Sequence, residues 1–254
     1  MLAHQRHTGP LLVQRALHPE GDAPCHAIVL HPPAGIVGGD CLQIDAHCGP
    51  DCHALLTTPG ATKWYRAPHS AARLTTRLHA ARGAQLEYLP REAIVYDGAH
   101  ARATLEMDLE VDSRMLGWDL WCLGRTASGE RFDTGQLEMV TTLRCAGRLR
   151  WEERASLVGG SPLLKARAGF AEQPVFGTLW AVGALADRSL LDACRAIRPQ
   201  HSGQGAVTQL PEVLLARYLG ASTEEAFEWF VRLWSLLRPA YLGKVATPPR
   251  IWSV

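Results

Sequence analysis

Between residues 41 and 111 the chain repeatedly alternates apolar and polar side chains, and that period of two constrains the fold more than any other feature. Residues 101–111 put Ala103, Leu105, Met107, Leu109 and Val111 on one face, with Arg102, Thr104, Glu106, Asp108 and Glu110 on the other. Only an extended strand with one buried and one wet face satisfies such a pattern. Residues 41–48 repeat it, with Leu42, Ile44, Ala46 and Cys48 opposite Cys41, Gln43, Asp45 and His47. So do residues 73–80, with Leu74, Thr76, Leu78 and Ala80 opposite Arg73, Thr75, Arg77 and His79. Further strands are expected at 11–17, 25–30, 54–58 and 85–89, and over 136–151 with a hinge at Ala146-Gly147.

Turn chemistry separates these segments. Pro59-Gly60 and Arg82-Gly83 are turn pairs, and Pro90 ends a strand. His31-Pro32-Pro33 excludes helix, because proline fixes φ and pushes its predecessor toward extended geometry. Gly35, Gly38 and Gly39 then let the chain turn tightly into Asp40. Short strands with little helix between them predict a mainly β fold with flanking helices, its body an irregular β-helix or sandwich over about residues 9–172. Strand spacing is too uneven for a strict repeat.

From about residue 173 to 254 the pattern changes to β-α-β-β-α. A strand is expected at 175–185, a helix at 187–197 with Leu190, Leu191, Cys194 and Ile197 on one side, and a hairpin around Pro211-Glu212. Ser222 should cap a second helix, with Glu225 completing a capping box. Phe227, Phe230, Val231, Trp234 and Leu237 form its apolar stripe, Arg238-Pro239 should end it, and residues 247–252 should be extended. No flexible linker divides the two parts, so one domain over 1–254 is expected.

Composition narrows the function classes. A net charge of +1 marks neither a general nucleic-acid binder nor a binder of anionic membranes. No run approaches the roughly 18 apolar residues of a membrane helix, and residues 1–7 lack the apolar core of a secretory signal. Seven cysteines without a CxxC pair fit reduced thiols in a cytoplasmic protein.

Candidate chemistry is sparse. The loop from Gly35 to Asp40 is not GxGxxG, and Gly60-Ala61-Thr62-Lys63 lacks the rest of a P-loop. No GxSxG elbow is present. His47, Cys48, Cys52 and His53 gather nitrogen and sulfur donors around a Gly49-Pro50 turn. Neighbours on a strand point oppositely, so at most one of each pair can converge on an ion. Asp40, Asp119 and Glu153 are carboxylates among apolar or aromatic neighbours. Burial of such groups requires a partner, so elementary physics favours internal ion pairs with arginine, and function second.

The blocks HPPAGIVGGD, LLTTPGATKWYRA, WDLWCLGR and LRPAYLGK with PPRIW resemble, in order and over nearly the whole chain, the signature segments of the UreD (UreH) family of urease accessory proteins. Two departures stand out. Relatives carry one or two further strands before the Gly9–Arg15 segment, so either a sheet edge stands uncovered or the natural start lies upstream of Met1. Ala34 stands where the family more often has glycine, which is harmless if φ is negative there.

The resemblance implies a non-enzymatic maturation factor with a β-rich, helix-flanked fold. It implies binding to the urease apoenzyme together with the F-type accessory protein and the G-type GTP-binding protein. It further implies help in delivering nickel, as cargo rather than as a tightly bound cofactor, through an internal polar passage. Such a passage needs weak oxygen and occasional imidazole ligands, because thiolate cages would trap the ion. Asp40, Thr62, Asp119 and Glu153 are the expected lining, with His31 and Cys122 as weaker candidates. A different reading, a stand-alone nickel or zinc carrier, would use the Cys48/Cys52/His53 cluster.

Overall fold

The computed structural model describes residues 2–67 and 69–253. In chain order its strands are β1 (Leu12–Val13), β2 (Cys25–Leu30), β3 (Gly35–Ile36), β4 (Cys41–Cys48), β5 (His53–Thr57), β6 (Thr62–Trp64), β7 (Ala72–Ala80) and β8 (Gln85–Leu89). They continue as β9 (Ala93–Val95), β10 (His100–Leu109), β11 (Arg114–Leu123), β12 (Gln136–Cys145), β13 (Arg148–Val158), β14 (Val175–Val182), β15 (Gln204–Leu210) and β16 (Val213–Gly220). The helices are α1 (Pro162–Lys165), α2 (Arg188–Ala196) and α3 (Thr223–Leu242).

The first two-thirds of the chain coils. Strands β2, β5, β8 and β11 stack in parallel as one wall, and β4, β7, β10 and β12 as the facing wall. The short parallel strands β3, β6 and β9 form a third side. Each turn of this irregular β-helix thus uses one strand from each wall. The turns joining them differ in length, which is why no strict repeat appears in the sequence. Strand β13 then folds back on β12, while β14, β16 and β15 add antiparallel to β11. The result is a large sheet, β1-β2-β5-β8-β11-β14-β16-β15, facing a smaller one, β13-β12-β10-β7-β4. The C-terminal strands therefore extend the large sheet.

Helix α3 covers the outer face of the large sheet, where Phe227, Phe230, Leu233, Trp234 and Leu237 meet Trp118, Leu120 and Leu179. Its stripe is as predicted; both ends differ. The Ser222 hydroxyl accepts the Glu225 N–H at 3.2 Å. The Glu225 carboxylate does not return the bond, accepting instead the Tyr218 hydroxyl at 2.9 Å and the N–H groups of His201 and Gly203. Nor does Pro239 stop the helix, which runs on to Leu242 and closes on Gly243 at φ 66°. Tyr241 and Leu242 are buried in the same cluster, and that packing carries the extra turn past the proline.

Other expectations shift as well. Only Leu12–Val13 of segment 11–17 is a strand, with a single bridge from Leu17 to His26. The tail coils into a 3-10 turn, Arg250–Ser253, which brings Trp252 against Trp118, Phe227 and Trp234. Ala34 has φ 61°, in the left-handed region that favours glycine. Strand β11, central in the large sheet, has no alternation to announce it. Its outward residues meet α3 and its inward residues meet the small sheet, so both faces are mostly apolar.

Candidate functional site

Two apolar clusters fill the space between the sheets, and a polar level separates them. On β11 the inward side chains run from Met115 in one cluster to Trp121 and Leu123 in the other, with Gly117 and Asp119 between. On β14 the step from Trp180 to Phe176 passes through Thr178, and Arg217 follows Leu215 at the same level of β16. Across the gap, β13 passes from Trp151 through Glu153 toward Leu157, β12 from Leu143 through Thr141 to Leu137, and β7 from Leu78 through Thr76 to Leu74. These positions are in register. Asp119 pairs with Thr178 and Thr178 with Arg217 along the large sheet. Glu153 pairs with Thr141, Thr141's level continues through Leu105, and Leu105 pairs with Thr76. Two rows, polar except at Leu105, thus face each other through a layer that is apolar above and below.

Three cavities follow this level. The largest, about 690 Å³, is lined by Asp119, Glu153, Arg217, Thr178 and Thr141 among others. A narrow one of about 80 Å³ shares Asp119, Met139 and Thr141 with it and reaches Tyr88, Thr76 and Thr62. A third, about 170 Å³, shares Thr62 and Leu74 with the second and extends to His31. Gly117 helps to shape the wall, because a Cβ there would sit 2.8 Å from the Trp180 indole.

The electrostatics are uneven. The Glu153 carboxylate, from the small sheet, takes both arms of the Arg217 guanidinium, from the large sheet, at 2.8 and 2.6 Å. Among the described residues no arginine is hydrogen-bonded to Asp119. One oxygen accepts the Thr178 N–H at 2.9 Å, and the Trp121 indole N–H, buried without a well-aligned partner, faces the same carboxyl. Burial pushes the Asp119 carboxyl up to about 7, and the charge of nearby Glu153 acts in the same direction. A carboxyl of this kind gains or loses its proton near neutrality and can take up a cation in exchange.

The expected lining residues therefore separate. Asp119 and Glu153 share the large cavity, Asp119 and Thr62 the narrow one, Thr62 and His31 the third. Asp40 is not among the residues lining these cavities; its carboxylate accepts the Val37 N–H at 3.0 Å and closes the glycine turn. Cys122 sits on the other face of β11, among the α3-facing residues, its thiol 3.2 Å from the Gly124 carbonyl. Of the three carboxylates expected to pair with arginine, only Glu153 does so directly. Arg217, Thr178, Thr141 and Thr76 escaped sequence reasoning. Each is a polar interruption on the apolar face of a strand, and only strand register shows that the interruptions coincide.

The sulfur–nitrogen cluster does not converge. Cys48 is buried, its Sγ 3.4 Å from the carbonyls of Cys52 and Gln85, and burial pushes its thiol up to about 11. His53 Nε2 lies 2.8 Å from Glu87, Cys52 is exposed, and His47 leans on His79. Among the described residues no three His, Cys, Asp or Glu side chains gather as a metal site. No described helix is long and apolar enough to cross a membrane.

Comparison with known proteins decides the family. The family model for the UreD urease accessory protein matches residues 1–253. The chain belongs to the UreD family. It is 50% identical to the urease accessory protein UreD of Azoarcus sp. (strain BH72), the match covering 99% of this chain and 88% of the relative. It is 49% identical to the UreD protein of Dechloromonas aromatica (strain RCB), over 100% of this chain and 89% of that one. With the UreD protein of Nitrosococcus oceani the identity is 48%, over 98% and 83%. Membership supports a role in urease maturation.

Proposed function

We propose that this UreD-family chain is a non-catalytic, cytoplasmic conduit that hands nickel toward the urease apoenzyme, working in a complex with the F-type accessory protein and the G-type GTP-binding protein. The observation that carries the reading is the row of three neighbouring cavities that share lining residues, with Asp119 and Glu153 on the largest, Asp119 and Thr62 on the second, and Thr62 and His31 on the third. The walls are largely apolar, their anionic donors are carboxylate oxygens and no cysteine is among their described lining residues, which suits an ion that must be released again. The carrier reading is less well supported, because the Cys48 thiol turns to the carbonyls of Cys52 and Gln85, His53 turns to Glu87, and Cys52 is exposed.

The test is co-expression of the urease apoenzyme with the other accessory proteins and either wild-type chain, Asp119→Asn or Glu153→Gln. Conduit function predicts lower urease activity and lower nickel content in the purified urease, with co-purification of the complex unchanged. Full nickel loading with both variants would refute it.

A further inference from the structure

Arg217 is the one cation hydrogen-bonded to a carboxylate at the polar level among the described residues, and its placement is unusual. It occupies an inward position of β16 beyond Leu215, which is buried in an apolar cluster, and it shares a register row with Asp119. Its two arms cap both oxygens of Glu153 from the opposite sheet, a fork geometry that takes one lone pair on each oxygen, so a cation chelated by both oxygens must displace it. The pair stands at the wide cavity, with the Arg217 side chain 48% and that of Glu153 39% exposed. An ion pair that wet adds little to stability, so the fold does not depend on it. The cavity beside it also leaves the guanidinium room to turn away.

We propose that Arg217 is a resident counter-cation that competes with a divalent metal ion for Glu153 and Asp119, so that an ion passes this level without being retained. The proposal rests on the conduit reading and assigns its release step. A divalent ion arriving beside Asp119 repels the guanidinium, takes its place on Glu153 and is expelled when the arm returns. Two carboxylates on one cavity with no internal cation would otherwise hold the ion, since the attraction of both charges acts across a partly desolvated space.

Equilibrium dialysis of the isolated full chain against Ni²⁺ tests this directly. Wild type should bind weakly, and Arg217→Gln should bind at least about tenfold more tightly. Arg217→Lys, with a single-point contact in place of the fork, should fall between them. The gain should vanish in Arg217→Gln combined with Asp119→Asn and Glu153→Gln. Circular dichroism checks folding; if the glutamine variant does not fold, the order of wild type and Arg217→Lys decides. Equal Ni²⁺ binding by wild type and the folded Arg217 variants would overturn the counter-cation role. That outcome leaves the conduit reading standing, because Asp119→Asn and Glu153→Gln test it separately through the nickel content of urease.

Discussion

The guanidinium of Arg238 and the carboxylate of Glu87 meet at 3.0 Å with neither side chain exposed to solvent. Glu87 also accepts the Trp234 indole N–H at 2.7 Å and lies 2.8 Å from His53 Nε2. Arg238 reaches further, to both oxygens of Glu20 at 2.7 and 2.9 Å and to the Val245 carbonyl. One buried knot therefore ties the last turns of α3 to β5, β8 and the turn before β2. Burial works against ionised Glu20, yet hydrogen bonds from Arg238 and His26 hold its carboxyl below the usual range.

Removing one member of such a pair strands the other charge in the interior, at a cost of about 3–5 kcal/mol. Arg238→Met and Glu87→Leu should each lower the unfolding free energy by that much, read as a fall in the urea midpoint. The double variant should lose clearly less than the sum, because the Glu87–Arg238 charges leave together and only Glu20, which keeps His26, loses a partner. Urea titrations of the four proteins measure both effects. Strict additivity would mean that the two groups are not coupled.

What could be read in advance divides along a physical line. Strands with one wet face announced themselves, so β4, β7 and β10 lie within a residue or two of their expected bounds. Strand β11 is apolar on both faces and gave no period to follow. Arg238 looked like a helix end beside Pro239, because nothing local reveals a partner at Glu87, 151 residues earlier. Asp119 and Glu153 stood out as carboxylates among aromatics. Their companions Thr76, Thr141, Thr178 and Arg217 are ordinary one strand at a time, and acquire meaning only through register.

Ala34 supplies a second, smaller prediction. Its φ of 61° places a Cβ where the left-handed region tolerates it poorly, in a turn closed by its N–H on the His31 carbonyl at 2.7 Å. Ala34→Gly relieves that strain but loosens the unfolded chain, and the first effect should win by about 1 kcal/mol. For a chain of this size that corresponds to a rise in Tm of about 2–4 °C. A fall in Tm would show that the turn carries no strain at this residue.

The proton on Asp119 gives the last prediction. In the unfolded chain this carboxyl ionises near its ordinary value of 3.8, and burial in the fold raises that to about 7. Between those values the folded protein holds a proton that the unfolded chain has lost, so folding stability drops as pH rises through the interval. The contribution of Asp119 is complete below the lower value and gone above the upper one. Asparagine cannot ionise. The advantage of Asp119→Asn over wild type should therefore grow steadily as urea midpoints are measured from about pH 4 to about pH 8. Parallel curves would mean that Asp119 is already charged in the fold at acid pH. The same proton links stability to transport, because a divalent ion that binds Asp119 below pH 7 must displace it. Ni²⁺ binding by the Arg217→Gln chain should accordingly strengthen with pH over this interval, and the portion due to Asp119 should disappear when Asp119→Asn is added.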